Sequence, residues 1–298
     1  MPGRTEPGGL WAAFWYAPAS PRNLAVARIL LAGTALWVVL SRFDLPSVLA
    51  FPPELWDGVT PERRLRFLMV FGLGTEQVLY AALHVTLLAA LVGLRPRLAC
   101  FLSALLLYHF APFETVFSTP NPYLRGLTLP TLGLLVLAGS PCGDALALWP
   151  RAGLAGGPPS WRYRWPLVLV QVLLCEVYLF AGYSKLVTTG PGWISADTVR
   201  AYLLALNQVT GDTGAGSWGY AAARLPGVCW AIAGAGLAFE LTFPVVLFSA
   251  TARWIWLPVA VVFHAANALL FHLMFHNLGL LLVFVNWDRV LPGGRSRP

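Results

Sequence analysis

Residues 166–185 read PLVLVQVLLCEVYLFAGYSK, and this stretch decides the fold class. Within Pro166–Ser184, Glu176 is the one charged residue among mostly apolar side chains. A helix of about 20 mostly apolar residues is long enough to cross the hydrocarbon core of a bilayer. The stretch therefore predicts a membrane-spanning helix with Lys185 at its end.

The composition of the whole chain agrees with this segment. Of 298 residues, 57% are apolar and 11% are charged, and the mean hydropathy is +0.66. Soluble domains have about 45–50% apolar and about 25% charged residues, and disordered chains are less apolar still. The composition thus excludes an ordinary soluble domain and a disordered chain, and it predicts an integral membrane protein.

Further apolar windows predict further spans. The last window is too long for a single crossing, so we expect two crossings with a break near His272–His276. The longest connection contains a candidate surface helix, Ala196–Leu206. The predicted fold class is all-α, a polytopic bundle of seven or eight transmembrane helices. The apolar windows are Leu24–Leu40, Gln77–Leu94, Leu98–Phe113, Leu124–Ala138, Pro166–Ser184, Val228–Ser249 and Trp254–Trp287.

The two ends of the chain differ from the apolar middle. Residues 1–20 contain Trp11, Phe14, Trp15 and Tyr16 but no long apolar run, which is typical of a helix that lies at the membrane surface. The predicted organisation is therefore an interfacial aromatic segment (1–20), one transmembrane domain (21–290) and a polar tail (291–298).

Basic residues outnumber acidic ones by 20 to 13, which gives a net charge of +7. The arginines mostly flank apolar segments, where basic side chains meet anionic headgroups. The charge therefore indicates membrane lipids as partners and does not indicate nucleic acid. Lys185 is the only lysine in the chain.

Metal chemistry has little support in the sequence. The four cysteines form no CxxC pair. His272 and His276 have the spacing of one helical turn, which suits a metal, but no third ligand has a definite place. We therefore expect no metal site, and we expect both histidines to have packing or interfacial roles.

Polar side chains share one face of the 166–185 helix. Gln171, Cys175, Tyr178, Gly182 and Lys185 fall within about 80° around the helix axis. Two interpretations are open. The face can form hydrogen bonds to neighbouring helices, or it can line a pocket with Lys185 at its end. Burial favours the neutral form of an amine, and a neutral amine can act as a general base.

Other ionisable residues in apolar segments are also candidates, since charges at membrane depth usually have a function. Glu240 interrupts Val228–Ser249 and needs a partner, which Arg28 or Lys185 could supply. Arg28 lies four residues into the first window, so it either extends to the interface or points inward. Pro244 predicts a kink that shapes a cavity, and His264 is the histidine best placed for a pocket.

With these residues identified, the chain resembles the HTTM family, the membrane domain shared by vitamin K-dependent gamma-carboxylases and many bacterial proteins. The resemblance runs from about residue 20 to 288 and depends on the order and spacing of short motifs. These motifs are Ala25-Val-Ala-Arg-Ile-Leu, Tyr123-Leu-Arg-Gly, Val177-Tyr-Leu-Phe-Ala-Gly-Tyr-Ser-Lys-Leu, the Trp193 segment, Phe239-Glu-Leu-Thr-Phe-Pro and the His264 segment.

The resemblance implies a chemistry for Lys185. In the carboxylases, a lysine in the segment matched by Tyr178–Leu186 deprotonates vitamin K hydroquinone. Lys185 is therefore the expected catalytic base, a reduced quinone is the expected cofactor, and a carboxylase-, epoxidase- or quinol-oxidising activity follows. The expected substrate-binding residues are Gln171, Tyr178, Arg28, Glu240, His264, Asn121, Tyr123 and Arg125.

A second role remains open because the chain departs from the carboxylase pattern. There an Asn-His pair precedes the Tyr-Leu matched by Tyr123-Leu124, whereas this chain has Pro120-Asn121-Pro122. The chain also resembles a bacterial membrane component that helps mature a sporulation-delaying toxin. That resemblance implies a non-catalytic partner of another polypeptide. The expected location in both cases is the bacterial plasma membrane.

Overall fold

The computed structural model describes residues 9–42, 71–117, 126–148, 157–212, 214 and 216–291. The structure is 79% helix. In the described ranges, the one β-type pairing is an isolated antiparallel bridge between Ala19 and Ser160. The predicted all-α class is therefore confirmed.

The α-helices of the described residues begin and end close to the predicted windows. Three short 3-10 helices, Gly190–Trp193, Phe243–Leu247 and His276–Phe284, continue or connect them. The α-helices are α1 (Leu10–Tyr16), α2 (Pro21–Arg42), α3 (Leu73–Val92), α4 (Pro96–Phe117), α5 (Thr128–Ala138), α6 (Trp161–Thr189), α7 (Ala196–Thr210), α8 (Trp218–Ala223), α9 (Pro226–Thr242) and α10 (Ala250–Phe271).

Five helical segments in the described residues are long and apolar enough to cross a membrane. Two further apolar stretches of 10–17 residues are Pro96–Ala111, which forms part of α4, and Thr128–Ala138. The chain is thus a multi-pass helical membrane protein, and the count of seven or eight spans stays a prediction. The five segments are Pro21–Ser41, Gly74–Val92, Trp161–Trp193, Pro226–Leu247 and Ala250–Phe271.

The last apolar window breaks where the sequence predicts. Helix α10 ends at Phe271, and His272 caps it in the left-handed conformation with φ of 55°. The 3-10 helix His276–Phe284 follows. At about 2 Å per residue it rises about 18 Å, which is less than the roughly 30 Å of a hydrocarbon core. This helix alone therefore does not complete a second crossing.

The chain divides into two compact units. The first unit comprises residues 1–170 and 282–298, and the second comprises residues 171–281, so the boundary falls within α6. In the first unit, α2 packs against α3 and α5, and α4 packs against α3 and α5. Leu31, Leu83 and Leu134 are fully buried there. These buried side chains form the packed core of the first unit.

In the second unit, α7 packs against α8, α9 and α10. Helix α7 starts at the Ser195 cap, whose side chain accepts from the Thr198 N–H. Its buried residues are Val199, Leu203 and Asn207, which lie four apart on one face. The predicted helix at Ala196–Leu206 is therefore confirmed, and it is amphipathic.

Candidate functional site

Lys185 and Glu240 form an ion pair between α6 and α9 in the second unit. The Lys185 ammonium donates to both carboxylate oxygens of Glu240, and its distance to Oε2 is 2.6 Å. The Glu240 side chain is 5% exposed and the Lys185 side chain is 20% exposed. Of the two partners that the sequence offered to Glu240, the structure therefore selects Lys185.

Gly182 brings the two helices close enough for this pair. It is buried one turn before Lys185. A Cβ atom added there would lie 3.0 Å from the Leu241 side chain and 3.1 Å from the Cβ of Glu240. Small residues allow membrane helices to approach in this way. The glycine on the predicted polar face thus acts through its lack of a side chain.

Trp193 adds an aromatic face to the pair. The Lys185 Nζ lies 5.2 Å from the centroid of the Trp193 ring, which is within the range of a cation–π contact. Trp193 ends the 3-10 helix that follows α6, and Gly190 starts that turn with φ of 64°. The sequence analysis did not assign Trp193 to the site. The Gly-Pro-Gly-Trp turn just after the lysine was the available signal.

Tyr178 and His264 form a second buried pair. The Tyr178 hydroxyl lies 2.7 Å from His264 Nε2. The Tyr178 ring packs against Phe239 and Phe243, with centroids 5.3 and 4.4 Å away, and the His264 ring lies 5.4 Å from that of Phe275. Among the described residues, His264 Nδ1 is buried and has no hydrogen-bond partner.

The two pairs lie on one face of α6. Tyr178 and Lys185 are seven residues apart, which is about 10 Å along the helix axis. Phe239 and Glu240, which contact them, are neighbours in α9. The structure therefore arranges four predicted site residues as two pairs along the same face of α6.

Gln171 is buried on the same helix but at a different depth. It lies 14 residues before Lys185, which corresponds to about 21 Å along the axis. The angular pattern on a helix does not include this axial separation. Gln171 and Lys185 therefore cannot contact the same small chemical group, and a role for Gln171 in substrate binding stays a prediction.

Arg28 belongs to the first unit. It is fully buried in α2, and its guanidinium donates to the Cys142 carbonyl at 2.7 Å and to the Leu146 carbonyl. Of its two expected orientations, Arg28 therefore points inward, and it holds the segment after α5 against α2. Its role in substrate binding stays a prediction.

Three predicted site residues, Asn121, Tyr123 and Arg125, lie outside the described residues. Their assignment stays an expectation from the family resemblance.

His272 contacts polar groups of the second unit. Its Nε2 lies 3.0 Å from Asn207 Oδ1 and 3.0 Å from Asp212 Oδ2. Because α10 ends at Phe271, His272 and His276 do not share one helical turn, so the spacing that suits a metal is not formed. The described residues contain no group of three or more side chains that could hold a metal ion.

The buried Glu76 and the partly buried His109 form a pair that the sequence analysis did not assign to a site. Glu76 is fully buried, accepts from the Phe71 N–H at 2.8 Å and lies 2.9 Å from His109 Nε2. It occupies the first turn of α3, where the helix dipole favours a carboxylate. The signal in the sequence was an acid just before an apolar window.

A family model described as the HTTM domain matches residues 16–288. No curated protein and no solved structure matches the chain. The match covers nearly the whole chain, including both pairs of the second unit, and it agrees with the resemblance found in the motifs.

Proposed function

Because this chain belongs to the HTTM family, we propose that it is a membrane enzyme that removes a proton from a quinol- or lipid-like substrate, with Lys185 as the base. Family membership supports a membrane domain of the gamma-carboxylase type. The observation that carries the proposal is the ion pair of the only lysine with Glu240 on α9.

The pair can make a neutral amine without an outside base. Transfer of one proton from Lys185 to Glu240 converts two charges into two neutral groups, and a low-dielectric site disfavours both charges. The substrate hydroxyl then gives its proton to the Lys185 Nζ. The products of this step are a substrate oxyanion and an adjacent ammonium, which attract each other.

The surroundings support an aromatic, weakly polar substrate. Trp193 lies over the amine, and Phe243 and Phe275 border the Tyr178–His264 pair. Nδ1 of His264 has no partner among the described residues, and we infer that it meets a hydroxyl or carbonyl oxygen of the substrate, since a buried ring nitrogen without a partner is costly. A quinol suits these surroundings, because it has a flat ring that can pack against the aromatic side chains and two oxygens that can form hydrogen bonds.

Activity of the purified protein tests the proposal. Vitamin K hydroquinone is added to the protein in detergent under air, and its loss and products are followed by chromatography. We expect Lys185→Ala to lower turnover by at least about a hundredfold, the usual contribution of a general base. The matched control is Thr188→Ala, an exposed position of the same helix, which should keep full turnover. Equal turnover in Lys185→Ala and the wild type would refute the proposal.

A second candidate function is a non-catalytic partner for maturation or export of another polypeptide. The contact of Lys185 with both oxygens of Glu240 favours it, because a purely structural ion pair has the same geometry. The Lys185→Arg variant separates the two. Arginine keeps the charge and the pairing but does not deprotonate at working pH. Lost quinol turnover with a stable fold supports the enzyme, whereas full retention of partner maturation by this variant supports the second function.

A further inference from the structure

An open cavity of about 770 Å³ lies in the first unit. Its walls come from the turn that leads into α4, from the segment that follows α5 and from the start of α6. Sites for small ligands usually have volumes of about 300–1,000 Å³. The cavity is therefore large enough for the headgroup of a lipid.

Positive charge predominates on the cavity walls. Arg95, Arg97 and Arg162 line it together with one acid, Asp144. The Asp144 carboxylate already accepts a hydrogen bond from the Tyr163 hydroxyl at 2.9 Å. Within the described ranges, Asp144 forms no ion pair with these arginines. The cavity thus has a surplus of positive charge.

The guanidinium groups of Arg95, Arg97 and Arg162 have N–H donors that form no hydrogen bond within the described residues. Arg97 donates from its Nε to the Ala138 carbonyl at 3.2 Å, and its terminal nitrogens meet no acceptor among the described residues. No acceptor among the described residues meets the side-chain nitrogens of Arg95 or Arg162. All three side chains are exposed. Arginine donors in this arrangement suit the oxygens of a phosphate group.

The backbone of Arg95 points to a function for this side chain. Arg95 has φ of 42°, which is in the left-handed region that glycine or asparagine adopts more readily. The turn from α3 to α4 therefore has an arginine where glycine or asparagine would be less strained. Strained positions of this kind concentrate at binding sites.

Aromatic rings around the cavity indicate that it lies at the level of the lipid headgroups. Trp161 and Trp165 line it, and Trp161 is the first residue of α6. Trp161 is 53% exposed, and its ring lies 6.0 Å from that of Tyr16 at the end of α1. Tryptophan, tyrosine and arginine at the start of a span are typical of the interface between membrane and water.

We propose that this cavity binds the phosphate of an anionic membrane lipid. Arg95 and Arg162 donate to the phosphate oxygens, and Trp161 packs against the adjoining apolar part of the lipid. Free phosphate has the same anionic chemistry. Trp161 and Trp165, which line the cavity at the start of a span, favour a lipid as the source of the phosphate.

Titration with a defined lipid tests the site. Dioleoyl-phosphatidylglycerol is added to the purified protein in a neutral detergent, and bound lipid is counted by native mass spectrometry. The variant Arg95→Gln/Arg162→Gln should bind the lipid about a hundredfold more weakly, because each lost charge-assisted contact is worth about tenfold. The matched control, Arg200→Gln/Arg224→Gln, removes the same charge from exposed positions of the second unit and should bind as the wild type does.

Two results would overturn the proposal. Equal weakening in both double variants would mean that only net charge attracts the lipid. Displacement of the lipid by an equal concentration of inorganic phosphate would assign the cavity to a soluble anion. Melting temperatures are measured for both variants, and an unchanged value for Arg95→Gln/Arg162→Gln confirms that lost binding does not come from unfolding.

Discussion

Lys185 and Glu240 illustrate how charged side chains persist inside an apolar helical protein. A lone charge at membrane depth is expensive, so each group depends on the other. The amine meets both carboxylate oxygens, and the face of Trp193 covers it. Removal of one member leaves the other buried without its opposite charge, whereas removal of both members leaves no uncompensated charge. This asymmetry gives a direct test.

We expect Glu240→Gln to lower the free energy of unfolding by about 2 kcal/mol, which is less than the roughly 3–5 kcal/mol of a fully buried pair because Lys185 is partly exposed. The double variant Lys185→Met/Glu240→Gln should be more stable than the Glu240→Gln single variant. Denaturant unfolding in detergent, arranged as a double-mutant cycle, measures the coupling. Purely additive effects would contradict the ion pair.

The hydrogen bond between Tyr178 and His264 should contribute to stability independently of the ion pair. Tyr178→Phe removes the hydroxyl and leaves His264 Nε2 without its 2.7 Å partner. We expect a loss of about 1–2 kcal/mol in the free energy of unfolding, which is the cost of an unsatisfied buried polar group. Tyr183→Phe on the same helix is the control, since Tyr183 is 56% exposed and should tolerate the change. Similar losses in both variants would show that the hydrogen bond is not the cause.

At the scale of helices, the close approach of α6 and α9 depends on one small residue. Gly182 faces Leu241 and Glu240 with no room for a methyl group at ordinary contact distance. The glycines of the neighbouring helix α9 have more space, since a Cβ on Gly234 would meet its nearest neighbour at 3.8 Å. The helix contact is therefore specific to one position and can be disturbed there alone.

Gly182→Ala should lower the free energy of unfolding by about 1–3 kcal/mol, the usual cost of overpacking a close contact. It should also lower quinol turnover if the Lys185–Glu240 pair is the base, because the helices move apart. Gly234→Ala should keep or slightly raise stability, since alanine favours a helix over glycine. A neutral Gly182→Ala variant would show that the two helices can separate without loss.

Helix positions were largely predictable from the sequence, but their ends were less so. The bilayer thickness determines the length of an apolar window, about 20 residues, and this length can be read within one segment of the sequence. The ends depend on contacts that the window does not contain. Helix α10 stops at Phe271 because His272 takes a left-handed cap, and α9 passes into a 3-10 helix at Phe243, next to Pro244. The predicted kink at Pro244 is a change of helix type.

At the scale of the molecule, apolar helices and flanking arginines predict firm membrane insertion. Washing membranes with alkaline carbonate should leave the chain in the pellet, and detergent should release it, because its spans are buried in hydrocarbon. Far-ultraviolet circular dichroism of the released protein should show mainly helix, in agreement with the 79% helix of the structure. Release by carbonate alone would contradict the membrane assignment.

The two units of the chain contain different parts of the predicted site. The second unit contains Lys185, Glu240, Tyr178, His264 and Gln171, and the first contains Arg28. Arg28 binds two backbone carbonyls within its own unit. An arginine in an apolar helix was a justified candidate, since such residues usually have a function. Which acceptors it meets depends on the segment after α5, which is distant in sequence.

The sequence by itself determined the helical membrane class, the places of most helices and the polar face that carries the only lysine. These features follow from local composition and from the period of a helix, which act within one segment. Only the tertiary structure decided that Lys185 pairs with Glu240, that Tyr178 meets His264 and that Trp193 covers the amine. These contacts join residues that are far apart along the chain or separated by a turn. They depend on how closely the helices approach each other. Gly182 permits the close approach of α6 and α9, and the periodicity of a single helix contains no information about that distance.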